Sequence, residues 1–195
     1  MNHGTTKFLE VRRHAKRHAP LANLTNEGIA RVKQASACNR SYAHVVTSPI
    51  PRAIQTAVAM GHGVDEEDWT LGSMGAPVGE SIIFDAGFAA IQHAIRTDRT
   101  AGLYAELQAL QLRHHLTQVE PGESVLVVSH GGIAEAGVIG LLPDVDLSGF
   151  GPSLDYCEGA RLEFVDDRCT RIQVLRFDGE REVEGPVLAW EPGNN

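Results

Sequence analysis

Residues 8–20 of the chain read FLEVRRHAKRHAP, and this stretch decides the fold. Its first four residues are apolar at three positions and predict a short strand. The strand runs into a cationic loop with two histidines, His14 and His18, and Pro20 then ends any regular structure. An α/β protein carries its chemistry on such loops, at the carboxyl edge of the sheet. Taken alone, the stretch is explained equally well as a solvated basic loop.

The composition is that of an ordinary globular protein. The 195 residues are 43% hydrophobic and 22% charged, which predicts one domain spanning residues 1–195. The net charge is −8, with 17 Lys and Arg against 25 Asp and Glu, and it argues against nucleic acid or anionic membrane as a partner. An anion site must therefore be a local cationic island. Residues 12–17 predict one, because four of the six are Arg or Lys.

The compartment is also constrained by the sequence. No run approaches the ~18 apolar residues of a membrane span, and residues 1–7 lack the apolar core of a signal peptide. Three irregularly spaced cysteines without a CxxC motif, at positions 38, 157 and 169, predict free thiols and no disulfide or zinc framework. We therefore expect a cytoplasmic protein.

The chain alternates predicted strands and helices. We predict strands at 8–11, 43–47, 69–71, 124–128, 160–165 and 171–177, and helices at 25–39, 51–60, 80–95, 102–116 and 133–142. Residues 72–79 are glycine-rich and predict an irregular loop, and the tail from residue 178 predicts a surface extension. This order predicts an α/β fold with a parallel sheet.

The predicted helix at 102–116 has an apolar face and ends in two histidines. In the helix at 102–116, Leu103, Leu107 and Leu110 fall on one face. The pair His114 and His115 at its end is interpreted as a partner of the helix dipole and not as a metal-ligand pair.

Three polar loops each follow a predicted strand. They carry Arg13, His14 and Arg17; Ser48, Pro49 and Arg52; and Ser129, His130, Gly131 and Gly132. Parallel strands point the same way, so these side chains can meet over one spot. Histidines and arginines without carboxylates between them would repel one another, and a bound phosphate would neutralise them. The glycines and the following helix N-terminus also favour an anion.

At these residues the chain resembles the histidine phosphatase superfamily, which includes the phosphoglycerate mutases. Its first motif resembles residues 13–15, its second residues 24–28, its third SPIPRAIQTA at 48–57, and its fourth SHGG at 129–132. All four occur in family order. The resemblance implies a three-layer αβα sandwich with a mostly parallel central sheet, phosphoglycerate mutase-like, in a small phosphatase-type member.

The match includes departures from the family pattern. Ala15 stands where the family usually has glycine, which small members also show. Arg17 and Pro20 are similar to the acid-phosphatase branch, and the asparagine that phosphoglycerate mutases have near this proline is absent. This difference, together with the lack of covering insertions in a short chain, disfavours a mutase.

The resemblance also implies residue roles. His14 would be the nucleophile that forms a phosphohistidine, which suits a neutral imidazole near pH 7. Arg13, Arg17 and Arg52 would hold the phosphate oxygens, with His130 donating to them and Gly131 letting the backbone approach. No metal or other cofactor is required. The general acid would be Glu80 or Asp85, although Glu80 is also explained as an ordinary carboxylate at a helix N-terminus.

We therefore predict a metal-independent phosphatase that hydrolyses a phosphomonoester, with a phosphorylated small molecule or a phosphoprotein as substrate. Three alternatives remain open: a phosphohistidine (protein) phosphatase, a phosphoglycerate mutase-like phosphotransferase, and a non-enzymatic phosphate-sensing scaffold.

Overall fold

A computed structural model of the chain describes residues 6–19, 23–179 and 181–190. Within these ranges the strands are β1 (Thr6–Arg13), β2 (His44–Thr47), β3 (Glu66–Glu67), β4 (Ser124–Ser129), β5 (Gly159–Val165), β6 (Arg168–Phe177) and β7 (Glu182–Ala189). The α-helices are α1 (Asn26–Val32), α2 (Pro51–Ala59), α3 (Gly75–Ser81), α4 (Phe88–Thr97), α5 (Arg99–Leu116) and α6 (Ile133–Leu141). Short 3₁₀ helices span Ser36–Asn39, Trp69–Leu71 and Ser148–Phe150.

The seven strands form one sheet in the order β3-β2-β4-β1-β5-β6-β7. The pairs β2–β3, β2–β4 and β1–β4 are parallel, and β5, β6 and β7 extend the sheet in antiparallel pairs. The predicted α/β class with a sheet that is mostly parallel in its core is confirmed. Arg13 pairs with Ser129, and Thr47 with Val128, so the carboxyl ends of β1, β2 and β4 meet at one edge.

Helices cover both faces of the sheet. Val45, Leu126 and Val128 point to the α1–α2 side, in a cluster with Val32 and Ala57. Their strand neighbours, among them Val46, Val125 and Val127, point to the other side and pack against residues of α3 to α6. Successive strand residues alternate between faces, and burial of both faces accounts for the near-continuous apolar sequence of β4. The predicted three-layer αβα sandwich is confirmed.

Local sequence signals set several helix starts. The Thr25 side chain accepts a hydrogen bond from Gly28 N at 2.9 Å and caps α1, and Pro51 occupies the first turn of α2. The Asp98 side chain accepts from Ala101 N at 2.8 Å and caps α5. The helix predicted at 25–39 divides in two, because α1 ends at Val32 and a 3₁₀ helix follows.

Two predictions on the middle of the chain are wrong. Residues 69–71 form a 3₁₀ helix and not a strand, because the Asp68 side chain caps them by accepting from Thr70 N. The third strand is the short β3, directly before them. The helix predicted at 80–95 is two helices, α3 and α4, and α3 takes up much of the glycine-rich stretch predicted as a loop. Gly87, with φ +92°, precedes α4 and supplies a backbone conformation that other residues rarely adopt.

The end of the described chain also differs from its prediction as a surface extension, since residues 182–189 form β7 against β6. The pairing register shifts between Gln173 and Leu175, opposite Gly185 and Pro186, and an edge strand tolerates a proline. The predicted hairpin between β5 and β6 is confirmed, with Asp166 and Asp167 at positive φ.

Helix α5 is confirmed, and its three leucines share a face as predicted. That face is exposed, with 55%, 45% and 65% of Leu103, Leu107 and Leu110 accessible. The buried face carries small residues because α6 packs closely there, where a Cβ atom on Gly140 would overlap Ala105 O.

The predictions on residues 1–5, Pro20 and residues 191–195 lie outside the described residues. Among the helices of the described residues, none has the length and apolar character needed to span a membrane.

Candidate active site

The three polar loops converge at the carboxyl edge of the sheet. Backbone hydrogen bonds of 2.9 Å from His14 N to Ser129 O and of 3.0 Å from Ser48 N to Val128 O hold the loops side by side. The Arg52 Nε atom lies 2.9 Å from His14 Nε2 and 3.2 Å from His130 Nδ1. The two imidazole centroids are 5.0 Å apart. One guanidinium therefore joins both histidines.

Hydrogen bonds set the tautomer of His14. Its Nδ1–H donates to Ala15 O at 2.7 Å, so Nε2 keeps a lone pair, which accepts from Arg52. Burial lowers the pKa of His14 to about 3, against the raising effect of the Ala15 bond and with help from Arg52, Arg13 and Arg17. The imidazole is therefore neutral at pH 7, with its lone pair on Nε2.

His130 is held in the complementary way. Its Nδ1 accepts from Arg52, so its Nε2–H donates to the Oγ atom of the fully buried Ser48 at 2.8 Å. Burial, followed by the charge of Arg52, lowers the pKa of His130 to about 3. Here His130 is an acceptor toward Arg52, and it needs a proton on Nδ1 before it can donate from that atom to an anion.

Arg13 lies beside this pair. Its Nη1 donates to Leu154 O at 2.7 Å, and its guanidinium lies 4.5 Å from the Tyr156 ring centroid. Its Nε is buried and has no hydrogen-bond partner. A Cβ atom on Gly131 would lie 3.2 Å from the guanidinium carbon, so the absent side chain of Gly131 leaves the space that Arg13 fills.

The second sequence motif positions the loop that carries Arg17. Thr25 N donates to Lys16 O at 2.9 Å, and a Cβ atom on Gly28 would overlap the same carbonyl oxygen. Arg17 lies close enough to contribute to the lowered pKa values of His14 and His130.

The predicted cationic island is smaller than the sequence indicates. Arg12 lies on the opposite face of β1 from Arg13, because side chains alternate along a strand. It is fully buried and bonds to Glu10 at 2.6 Å and to Glu182 at 2.6 Å. Lys16 pairs with Glu27 at 2.6 Å. The prediction that residues 12–17 form one cationic island is therefore wrong for Arg12.

The remaining cluster is rich in positive charge. Within the described ranges of the chain, no salt bridge involves Arg13 or Arg52. Burial, followed by the neighbouring charge of Arg17, lowers the pKa of Arg52. Such a cluster favours a multivalent anion whose oxygens match the guanidinium fork. The site also holds no set of three potential metal ligands among the described residues.

The two candidate acids lie outside this hydrogen-bonded cluster. Glu80 is exposed near the end of α3, and Asp85 is exposed in the turn after it. Among the described residues, neither carboxylate forms an ion pair. The segment that carries them packs on the site, since a Cβ atom on Gly132 would lie 2.7 Å from Met74 Cε and 3.0 Å from Phe84 Cβ.

Sequence reasoning missed two residues here. Tyr156 lies 5.7 Å from His14 between ring centroids, and nothing in its irregular stretch of sequence predicts this. Glu135 is fully buried, accepts from Gly132 N at 2.7 Å and Leu154 N at 2.8 Å, and has a pKa raised by burial. Its place three residues after a helix start is a capping signal that the sequence does contain.

Several solved structures have a fold similar to that of this chain. A phosphoglycerate mutase from Bacillus anthracis str. Sterne is 17% identical, with a TM-score of 0.58 and coverage of 86% of this chain and 92% of that chain. A phosphoserine phosphatase variant from Entamoeba histolytica, in complex with phosphoserine, is 16% identical, with a TM-score of 0.50 and coverage of 91% and 94%. YhfR from Bacillus stearothermophilus is 17% identical, with a TM-score of 0.51 and coverage of 91% and 95%.

Comparisons with protein-family models and with curated proteins find no match. The structural neighbours confirm the predicted fold: this chain has the phosphoglycerate mutase-like fold.

Proposed function

We propose that this protein is a phosphatase that hydrolyses a phosphomonoester through a phosphohistidine intermediate on His14. The observation that carries the proposal is the Arg52 guanidinium, which contacts the unprotonated Nε2 of a buried, neutral His14 and the Nδ1 of His130. A phosphoryl group bound here would meet a nucleophile and a set of cationic donors at once.

In the first step, His14 Nε2 attacks phosphorus while the bond from phosphorus to the leaving oxygen breaks. The charge on the three equatorial oxygens is stabilised by Arg13, Arg17 and Arg52, and Arg52 exchanges its hydrogen bonds to His14 Nε2 and His130 Nδ1 for bonds to the phosphate. The dianion favours protonation of His130, which then donates from Nδ1 in place of accepting from Arg52. The Ala15 carbonyl accepts from Nδ1–H of His14 and stabilises the positive charge that develops on the ring.

In the second step, water attacks phosphorus, the phosphorus–nitrogen bond breaks, and inorganic phosphate leaves. The leaving oxygen gains a proton in the first step, and the attacking water loses one in the second. We assign both transfers to Glu80, on the segment that packs over Gly132. Asp85, in the turn after α3, is the alternative general acid.

Two aromatic rings favour a small organic phosphate as the substrate. The Arg13 guanidinium lies 5.8 Å from the Phe84 ring centroid and 4.5 Å from that of Tyr156. A leaving group beside the phosphate would contact these rings. The phosphoserine phosphatase among the neighbours was solved with such a ligand.

The test is release of inorganic phosphate from p-nitrophenyl phosphate and from a panel of phosphorylated metabolites, with and without EDTA. We expect turnover that EDTA does not change. Arg113→Ala, which removes an exposed arginine of α5, is the matched control for charge and should keep full activity. Activity lost with EDTA and restored by Mg²⁺ would overturn metal independence. Transfer to an acceptor without release would indicate a mutase, and phosphate binding without turnover would indicate a sensor.

A further inference from the structure

A second group of histidines lies at the other end of β2. His44 begins β2, Glu66 begins β3 and His115 lies in the last turn of α5, and all three meet on the α5 side of the sheet. His44 Nε2 is 3.2 Å from Glu66 Oε2, and His115 Nδ1 is 3.6 Å from the same oxygen. The three potential ligand atoms lie within 4.8 Å of one another. In the described ranges, no other such group of His, Cys, Asp and Glu occurs.

Burial of the His115 side chain carries a free-energy cost unless another group binds to it. Its side chain is 1% exposed, and its Nε2–H donates to Asp68 Oδ2 at 2.9 Å. In the neutral imidazole Nδ1 then keeps a lone pair, and this buried atom has no hydrogen-bond partner. A carboxylate oxygen, Glu66 Oε2, lies 3.6 Å from it, so two electron-rich atoms lie close together. A buried polar atom without a partner carries a desolvation penalty, which a cation between the two atoms would remove.

We propose that His44, Glu66 and His115 bind a divalent transition-metal ion, with Zn²⁺ the best fit. Ligands on a tetrahedral zinc with bonds of ~2.0–2.1 Å lie roughly 3.4 Å apart, close to both measured separations. Two imidazoles and one carboxylate favour zinc over Mg²⁺ or Ca²⁺, which prefer oxygen ligands.

Asp68 completes the arrangement. A metal-bound histidine commonly donates its other ring N–H to a carboxylate, which fixes the tautomer and orients the ring. Asp68 does this for His115 and is itself held by the N–H of Thr70 at 2.8 Å and its hydroxyl at 2.7 Å. The side chain of Glu66 is 42% exposed, which provides an entry path and room for water as a fourth ligand.

Such an ion would tie three elements together. β3 is two residues long and pairs with β2 through Val46 and Thr47, so the sheet ladder alone holds it weakly. A metal bound by β2, β3 and α5 would fix this edge of the sheet to the helix layer. The site is independent of the phosphate site and of the proposed phosphatase activity.

The test is a titration of metal-free, tag-free protein with Zn²⁺ by calorimetry, together with thermal unfolding. We expect one equivalent to bind, and the unfolding midpoint to rise by about 5–10 °C at a hundredfold excess over Kd. Absence of saturable binding would overturn the proposal.

Variants locate the ion. Glu66→Gln and His44→Gln should each weaken Zn²⁺ binding at least tenfold, since each removes a ligand while nearly preserving shape. His114→Gln is the matched control on α5, because this exposed neighbour of His115 should bind nothing. Cys38→Ser controls for thiol binding. Affinity unchanged in both Glu66→Gln and His44→Gln would place the ion elsewhere and refute the site, whether or not a His115 variant folds.

Discussion

Two pairs of histidines lie at opposite ends of β2, and their neighbours give them opposite chemistry. His14 and His130, beyond the carboxyl ends of the strands, share the guanidinium of Arg52. His44 and His115, near the start of β2, share the carboxylate of Glu66. The first pair therefore suits an anion, and the second suits a cation.

The groups around an imidazole determine its protonation and the charge of the ligand that it binds. Next to arginines, a buried ring stays neutral and offers a lone pair to an electrophile that brings negative oxygens. Next to carboxylates, the same lone pair favours a proton or a metal cation. Neither environment can be deduced from the spacing of histidines along the chain.

The largest expected effect comes from reversing the charge at the first pair. Arg52→Glu places a carboxylate against the phosphate, and we expect kcat/KM for phenyl phosphate to fall at least ~10³-fold. Arg52→Ala removes only the donor and should cost roughly 10²–10³. Glu66→Gln, which removes the shared charge at the second pair, should leave turnover unaltered. Steady-state kinetics measures these values of kcat/KM, on variants whose thermal unfolding matches that of the wild type. Comparable losses in Arg52→Glu and Glu66→Gln would remove the distinction between the two sites.

The next effect depends on the leaving group. Glu80→Gln should reduce turnover of an alkyl phosphate by roughly 10²–10⁴, because an alkoxide needs a proton to leave. With p-nitrophenyl phosphate the loss should be much smaller, since nitrophenolate scarcely needs one. Rates on both substrates measure the contrast.

Two results would change this assignment. Equal losses on the two substrates would make Glu80 a positioning residue. A large loss in Asp85→Asn, with none in Glu80→Gln, would move the acid to Asp85.

A smaller effect concerns stability. The folded pKa of His14 and of His130 is about 3, below the ordinary value of 6.5, so the unfolded chain binds more protons between these limits. The free energy of unfolding should therefore fall as pH decreases below about 6.5, by about 1.4 kcal/mol per pH unit for each histidine. His130→Gln should remove about half of this slope.

Urea denaturation from pH 6.5 to 5 measures the slope. His93→Gln, which changes an exposed histidine of α4, is the matched control and should keep the wild-type slope. Added sulfate should flatten the slope, because an anion between the rings favours their protonation. A slope that His130→Gln leaves unchanged would contradict the electrostatic account of the first pair.

The sequence predicts the first pair well because its information is local. His14 and His130 directly follow strands, and Arg52 lies in the first turn of the helix after β2. Parallel strands bring such positions to one edge without any long-range knowledge. His14, Arg52 and His130 are therefore predictable, whereas Tyr156, in an irregular segment after α6, is not.

The second pair could not be predicted from spacing. The three residues His44, Glu66 and His115 are far apart in sequence. His115 also lies in the last turn of a helix, where a histidine is expected to interact with the helix dipole. Only the packing of α5 on β2 and β3 brings them together. β7 could not be predicted for the same reason. Its Gly185 and Pro186 indicate a loop in the sequence, but in the fold they lie opposite the register shift in β6.

The phosphohistidine itself provides the most direct test. Wild-type protein is mixed with ³²P-labelled substrate, quenched with base within milliseconds, digested and mapped. We predict an acid-labile, base-stable label on His14, and none in His14→Ala, whose turnover should fall below about a hundredth of wild type. A label on another residue, or turnover in His14→Ala close to that of wild type, would contradict the account.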